Sequence, residues 1–538
     1  MSRPPATVAA SAGAAALLLL LPLFPPEISG VSAAGAAALL ALGAAFALRS
    51  RAQVFPVLVM ALAAWPLSIA SQAPGAVPGA VALPLLALAA AAVGTGTDAR
   101  TRDLLPRLLA TAGVLVALHA LWQVAFGLER AAGALIRTAP DDPMTRLAVA
   151  RLQEGRAFAS FATPAAAGCF FALALPVTLS EAFAARGRPR VLLGAAVAIQ
   201  AAGLAATQSA TAVGALAAAG LLAASRIPAL RRVLVPALLV LVALLAGIVV
   251  LRRDRLLDPA AAQGSWRLRE GNAAAAARMI AEHPLRGVGP GAFAEVYPSV
   301  LRPGGNEARH AHCLPLELMA ELGIPLGLLA TAVFSVAFLG PLLRGRGGGV
   351  SVGLAAFAVQ NAADFTTFFP SLLCLAALLR GTLVAEREPA SGWAQTVGRL
   401  AVTAAALVVA AAGLSADVRR AAAELLAAGR LEEGTRLAGR AAALAPRDAD
   451  AHLLAGAGRL RAGDPAGALG ETERALALAP VRPAAHAQRA RIRAGLGDLP
   501  GAYADLQRAA ELYPAQAAYA REAEAAGRRL AQAYGGGG

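Results

Sequence analysis

The sequence predicts an all-α, polytopic membrane protein with about thirteen transmembrane helices, a large extracytoplasmic loop and a C-terminal helical solenoid. Three observations carry this. The 538 residues are 58% hydrophobic with a mean hydropathy of +0.60, more apolar than a soluble globular chain sustains. Apolar runs of membrane-spanning length recur up to residue 415. Beyond that point the composition changes and a 34-residue period sets in.

The apolar runs lie at 9–24, 31–48, 53–70, 76–93, 104–127, 161–184, 191–207, 209–224, 231–251, 313–342, 349–367, 369–384 and 398–415. Arginine placement orients them. With Arg3 on the cytoplasmic side, every second loop is expected to be arginine-rich. Those loops hold Arg49 and Arg51, Arg100 and Arg102, Arg186, Arg188 and Arg190, Arg226, Arg231 and Arg232, Arg344 and Arg346, then Arg380, Arg387 and Arg399. The intervening turns "PPEISG" and "SQAPGAVPG" hold none. The first run, with Arg3 before an apolar core, has the look of a signal peptide and is read as a retained span. An odd number of spans then places the C-terminal part outside the cytoplasm. The expected location is a plasma membrane, with membrane lipids as the surroundings.

Two outer segments, 128–160 and 252–312, break the orientation rule by being long and arginine-rich. Long loops translocate regardless of charge, so these arginines are either passengers or ligands for an anionic substrate. The formal charge of +15 is spread between spans and does not point to nucleic acid. Lysine is absent, in keeping with a strong compositional bias. Cys169, Cys313 and Cys374 sit in apolar segments without CxxC spacing, so neither a disulfide framework nor a zinc site is expected.

After residue 415, Pro446, Pro480 and Pro514 recur 34 apart, as do Gly429, Gly463 and Gly497, and Leu444, Leu478 and Leu512. Ala468 and Ala502 keep the same step. Small residues inside the unit and proline after its second helix resemble tetratricopeptide repeats. The resemblance divides the chain into a membrane domain at 1–415 and a repeat domain at 416–534, followed by a glycine tail at 535–538. Such stacks form concave surfaces, which implies a protein partner.

The outer loop contains "HPLRGVGPGAF". Its Gly287, Gly289 and Gly291 lack the Lys-Ser/Thr and the strand–helix frame of a nucleotide loop, so a tight turn beside a substrate groove is expected. "AHCLPLELMAELGIPLG" follows, with an arginine-led helix upstream and "GRAFASFATPAAAGCFFALALPVTL" at 155–179. Together these segments resemble the O-antigen ligase/polymerase superfamily of polytopic membrane glycosyltransferases, over about residues 90–390. The resemblance implies inverting transfer of a glycan from undecaprenyl diphosphate to an acceptor hydroxyl at the outer membrane face, with no metal and no cofactor. The acceptor could be a glycolipid, a glycan or a protein. Ligation is favoured narrowly over polymerisation, and protein O-glycosylation is a third form.

By position, the resemblance assigns His312 as the base-like histidine and Arg267 as the loop arginine; Arg156 matches the earlier outer arginine. Arg269, Arg286 and Arg309 join as candidate diphosphate ligands by location alone. Fixed guanidinium groups suit a diphosphate leaving group whose charge grows as it departs, and histidine suits an acceptor hydroxyl near neutral pH. Each has a plainer reading: a surface histidine for His312, a local partner of Glu270 for Arg267, a headgroup contact for Arg156. His310 is expected to be auxiliary. Glu317 and Glu321, four apart, share one helix face, where a carboxylate should meet protein or a wet cavity. They either brace the arginines or make an interhelical polar contact, and Asn361 and Asp364 could join the same cavity.

The sequence departs from the family pattern twice. Ala210, in "TQSATAVGALAAAG", stands where the family commonly has an arginine after serine, and Cys313 stands where asparagine is frequent. A lipid-linked-sugar transporter and a non-catalytic anchor for the repeats are the rival classes. The first would show internal symmetry, which is not evident in the membrane part. The second would not need His312.

Overall fold

The computed structural model describes residues 5–138, 143–226, 246–247, 259–302, 307–346, 348–384 and 391–535, and the elements among them are helical. Helices α1 (Pro5–Leu23), α2 (Gly30–Ala47), α3 (Arg51–Ala70), α4 (Val77–Thr95) and α5 (Ala99–Trp122) occupy the first five apolar runs. A π-helical turn (Gln123–Gly127) joins α5 to α6 (Leu128–Thr138), against which α7 (Pro143–Leu152) packs. Next come α8 (Pro164–Ala184), α9 (Arg188–Thr207) and α10 (Ala210–Arg226). The expected span 231–251 lies, apart from residues 246 and 247, outside the described residues. The long loop before the next apolar run forms α11 (Pro259–Glu282) and α12 (Phe293–Val300). Then follow α13 (Leu314–Phe338), α14 (Gly340–Leu343), α15 (Gly348–Asn361), α16 (Pro370–Thr382) and α17 (Gly392–Ala427).

Eight described helices are long and apolar enough to cross a membrane, and Thr7–Leu23, Ala210–Arg226 and Pro370–Thr382 are shorter apolar helices. Caps fix several starts: Ser29 accepts from Ser32 N, Asp98 from Thr101 N and Thr163 from Ala166 N. Small residues let the backbones close. Gly94 of α4 and Gly381 of α16 face each other's carbonyl neighbours, Leu378 and Ala91. A Cβ on Gly203 of α9 would come 2.7 Å from that of Ala117 on α5. The alanine bias therefore has a packing use in this bundle.

Two expected spans differ in form: 313–342 is broken at Gly323, and 349–367 ends early. The run 349–367 reads as a continuous apolar stretch, but the helix stops at Asn361 and gives way to a loop and a 3₁₀ turn at Thr366–Phe368. Asn361 Oδ1 accepts from Thr367 N at 2.7 Å, and Asp364 Oδ1 accepts from Phe365 N at 2.9 Å. These short polar side chains offer the backbone an alternative to the helix, and the turn brings Asp364 to the site described below.

Helix α17 is 36 residues long, about 54 Å at 1.5 Å per residue. It packs on α2 and α4, ends at Ala427 and, after a short turn, packs on the first of the helices that follow. The expected domain boundary at 415/416 falls within one of its turns: Gly413 and Asp417 face Gly30 of α2, while Ser415 donates to Ala441 O at 2.9 Å. After it come α18 (Leu431–Leu444), α19 (Ala449–Arg461), α20 (Pro465–Leu478), α21 (Pro483–Gly495), α22 (Leu499–Leu512) and α23 (Ala517–Gly535), each packed on the next. The 34-residue step is visible in their starts at 431, 465 and 499 and at 449, 483 and 517. Gly429, Gly463 and Gly497 adopt φ of 79°, 83° and 86° just after helix ends, the left-handed closing conformation that glycine takes freely.

One edge of this array rests on the α3–α4 turn and on the loop that carries α11 and α12. Gly75 N, in the α3–α4 turn, donates to Leu478 O at 3.0 Å, and Tyr513 OH donates to Glu307 Oε1 at 2.7 Å. Arg482 joins Glu295 of α12 to Asp450 of α19. Val481, Tyr513 and Ala515 pack against a buried cluster that includes Met279, Phe293 and Tyr297.

Candidate active site

The site is built at the start of α13. Pro315 lies in its first turn, where a missing N–H costs nothing, and the chain enters through His312, whose φ of 56° is uncommon for a residue with a Cβ. What holds this entry is Glu317. One turn into the helix and only 1% exposed, it turns back so that Oε2 accepts from Ala311 N at 2.9 Å. Its Oε1 meets His310 Nδ1 at 2.6 Å.

His310 is fixed further by aromatic rings from the 362–369 turn. Its imidazole stacks on Phe365 at 4.9 Å and 16° and on Phe368 at 4.6 Å and 21°. His312 meets the edge of Phe365 at 4.5 Å and 79°. Its Nδ1 lies 4.0 Å from Asp364 Oδ1, and a third of its side chain remains exposed. Asp364 is buried and accepts from Thr211 Oγ1 at 3.2 Å through its other oxygen. Burial pushes the His312 imidazole below its ordinary range; Asp364 pulls it back up, while Arg269 and His310 push it further down. The imidazole therefore has one carboxylate 4.0 Å away and one guanidinium near enough to act on it.

The arginines are placed unevenly. Arg269, half-buried on α11, is near enough to His312 to influence it. Arg267 lies on the same helix, and its side chain is outside the described residues. Arg286 and Arg309 are exposed. Arg156 Nε donates to Thr207 O at 3.3 Å, and its Nη1 is 3.9 Å from Glu154. Ala210 opens α10, exposed, between Ser209 and the Thr211 that bonds Asp364. The position lacking an arginine therefore borders the site.

The glycine loop packs on a break in α13. Gly287, Gly289 and Gly291 take φ of 66°, 109° and 73°, and Gly323, where α13 kinks, takes 75°. Val288 N donates to Ala320 O and Gly289 N to Glu321 O, both at 2.9 Å, while Ile324 N donates to Pro284 O at 2.7 Å. A Cβ on Gly287 would collide with the Glu321 backbone. The Glu321 carboxylate, also buried, accepts from Phe293 N at 3.3 Å. The two glutamates thus serve different parts: Glu317 holds the histidine segment, and Glu321 holds the glycine loop.

Thr211, Phe365 and Phe368 were not among the residues singled out from sequence. The run "DFTTFF" was the available signal, a dense aromatic group beside an acid, but it reads equally well as the end of a span. Among the described residues no group of three or more His, Cys, Asp or Glu side chains is arranged to hold a metal ion.

A family model described as O-Antigen ligase matches residues 195–331. The matched stretch takes in the α9–α10 turn, α11, the glycine loop and His310 through Glu321; Arg156 and the 362–369 turn lie outside it. No curated protein matches the chain.

Proposed function

We propose that this chain is a membrane glycosyltransferase of the ligase or polymerase type, with ligation the favoured form. It takes a glycan from undecaprenyl diphosphate and attaches it to an acceptor hydroxyl at the outer face of a bacterial inner membrane. The observation that carries the reading is His312: depressed by burial, backed by Asp364, near Arg269 and still partly open.

The step balances on these residues. With the Nδ1 proton toward Asp364, His312 Nε2 accepts the proton of the acceptor hydroxyl. The acceptor oxygen bonds to the anomeric carbon as the bond from that carbon to the phosphate oxygen breaks, so a single displacement inverts the centre. Undecaprenyl diphosphate leaves with the bonding pair. Arg269 and Arg156, together with Arg267, supply positive charge for it. Asp364 then faces an imidazolium, which lowers the energy of the state that has gained the proton. In this reading α18–α23 are tetratricopeptide repeats that hold a protein partner or acceptor.

The test is transfer of a labelled glycan from its lipid carrier by purified protein. His312→Ala and Arg269→Ala should each reduce transfer by about 100-fold or more. Full activity in both variants would remove these residues from the mechanism, and absence of transfer by the unaltered protein would favour a transporter or an anchor.

A further inference from the structure

Gln123 has no part in the chemistry above, yet it is 7% exposed, in the π-helical turn that interrupts a long helix. Such turns rotate one residue out of the helical register and recur at functional sites. Here the rotated side chain clamps the loop that follows α7. Gln123 Oε1 accepts from Phe158 N at 3.1 Å and Ala159 N at 2.7 Å, and Nε2 donates to Ala159 O at 2.9 Å. Ala159 has a φ of 51°, a left-handed conformation that an alanine holds only when its surroundings impose it. The same loop is tied on its other side to the α9–α10 turn: Ala157 N donates to Ala206 O at 2.9 Å and Arg156 Nε to Thr207 O at 3.3 Å. That turn leads within four residues to Thr211, which bonds Asp364.

We propose that Gln123 is a positioning residue: it fixes loop 155–161 so that Arg156 stands at the α9–α10 turn, facing the place where a diphosphate carrier would bind. The inference rests on the reading of the site as one that takes a polyprenyl diphosphate. It differs from a general stabilising role because its effect must pass through the Arg156 guanidinium.

Gln123→Met keeps the volume and helical preference of the residue and removes all three hydrogen bonds, so the full chain should still fold. The probe is undecaprenyl diphosphate itself, titrated in detergent against full-length wild type, Gln123→Met, Arg156→Ala and the double variant. Each single change should weaken binding about tenfold, the worth of one charge-assisted contact, and the double variant should bind no more weakly than Arg156→Ala alone. Amide exchange of residues 156–161 should also speed up in Gln123→Met. Unchanged exchange there, binding at the wild-type level, or losses that multiply in the double variant would each overturn the proposal. Because binding is read without turnover, a chain that binds the carrier in this pattern but transfers nothing would leave Gln123 in its role and defeat only the transferase reading.

Discussion

The Glu317 carboxylate and the His310 imidazole meet at 2.6 Å, and the same carboxylate accepts from the amide of Ala311. Of the two histidines in "RHAH", the one bonded to the buried acid is the scaffold and the one beyond it is the candidate base. Glu317→Ala should therefore displace His312 without touching it. The expected result is a loss of about 100-fold in glycan transfer, the penalty of a misplaced catalytic group, with the lipid carrier still bound. An activity near wild type would show that the His312 backbone needs no such anchor.

Asp364 and Arg269 act on His312 in opposite directions, and the pH dependence should separate them. In the proposed mechanism the imidazole must be neutral to accept a proton, so transfer should fall on the acid side as His312 protonates. Burial depresses His312, so this limb should lie below the ordinary histidine range. Asp364→Asn removes the group that raises it, so the limb should move to still lower pH as the maximum rate drops. Arg269→Ala removes a group that lowers it, so the limb should move to higher pH. Rate profiles of the three proteins settle the matter, and shifts in the same direction would contradict the arrangement.

Arg482 lies between Glu295 of α12 and Asp450 of α19, with 18% of its side chain exposed. Arg482→Ala leaves two carboxylates facing each other in a partly buried seam. A loss of about 2 kcal/mol in stability is expected, below the range for fully buried pairs, together with faster amide exchange across residues 284–302. Thermal unfolding and exchange mass spectrometry measure the two effects.

The proposed orientation sets Arg508, exposed on α22, outside the cytoplasm and Arg188, exposed at the start of α9, inside. In a Cys313→Ser background, a membrane-impermeant maleimide applied to spheroplasts should label Arg508→Cys and spare Arg188→Cys. The reverse pattern would invert the topology.

Much of the helical layout was legible because apolar runs and a 34-residue period are properties of the chain itself. The site was legible only in part. Histidine and glutamate at the start of an apolar run drew attention to this segment, but spacing alone does not say that Glu317 folds back onto the residue before His312. The run 349–367 misled because alanine and phenylalanine keep its hydropathy high, while Asn361 and Asp364 redirect the backbone through hydrogen bonds that no periodicity records. Gln123 was invisible for a similar reason: its importance lies in a π turn and in the loop it meets 35 residues later.

The turn of α17 that holds Gly413, Ser415 and Asp417 gives the protein a fixed phase. Two of these residues face the bundle and the third faces the repeats, so a single rigid screw sets both the height and the azimuth of the array. One residue inserted there would advance everything beyond it by about 100° and 1.5 Å, pulling Arg482 away from Glu295 even though neither had been changed. Insertions should accordingly be tolerated in the loops and refused in that turn.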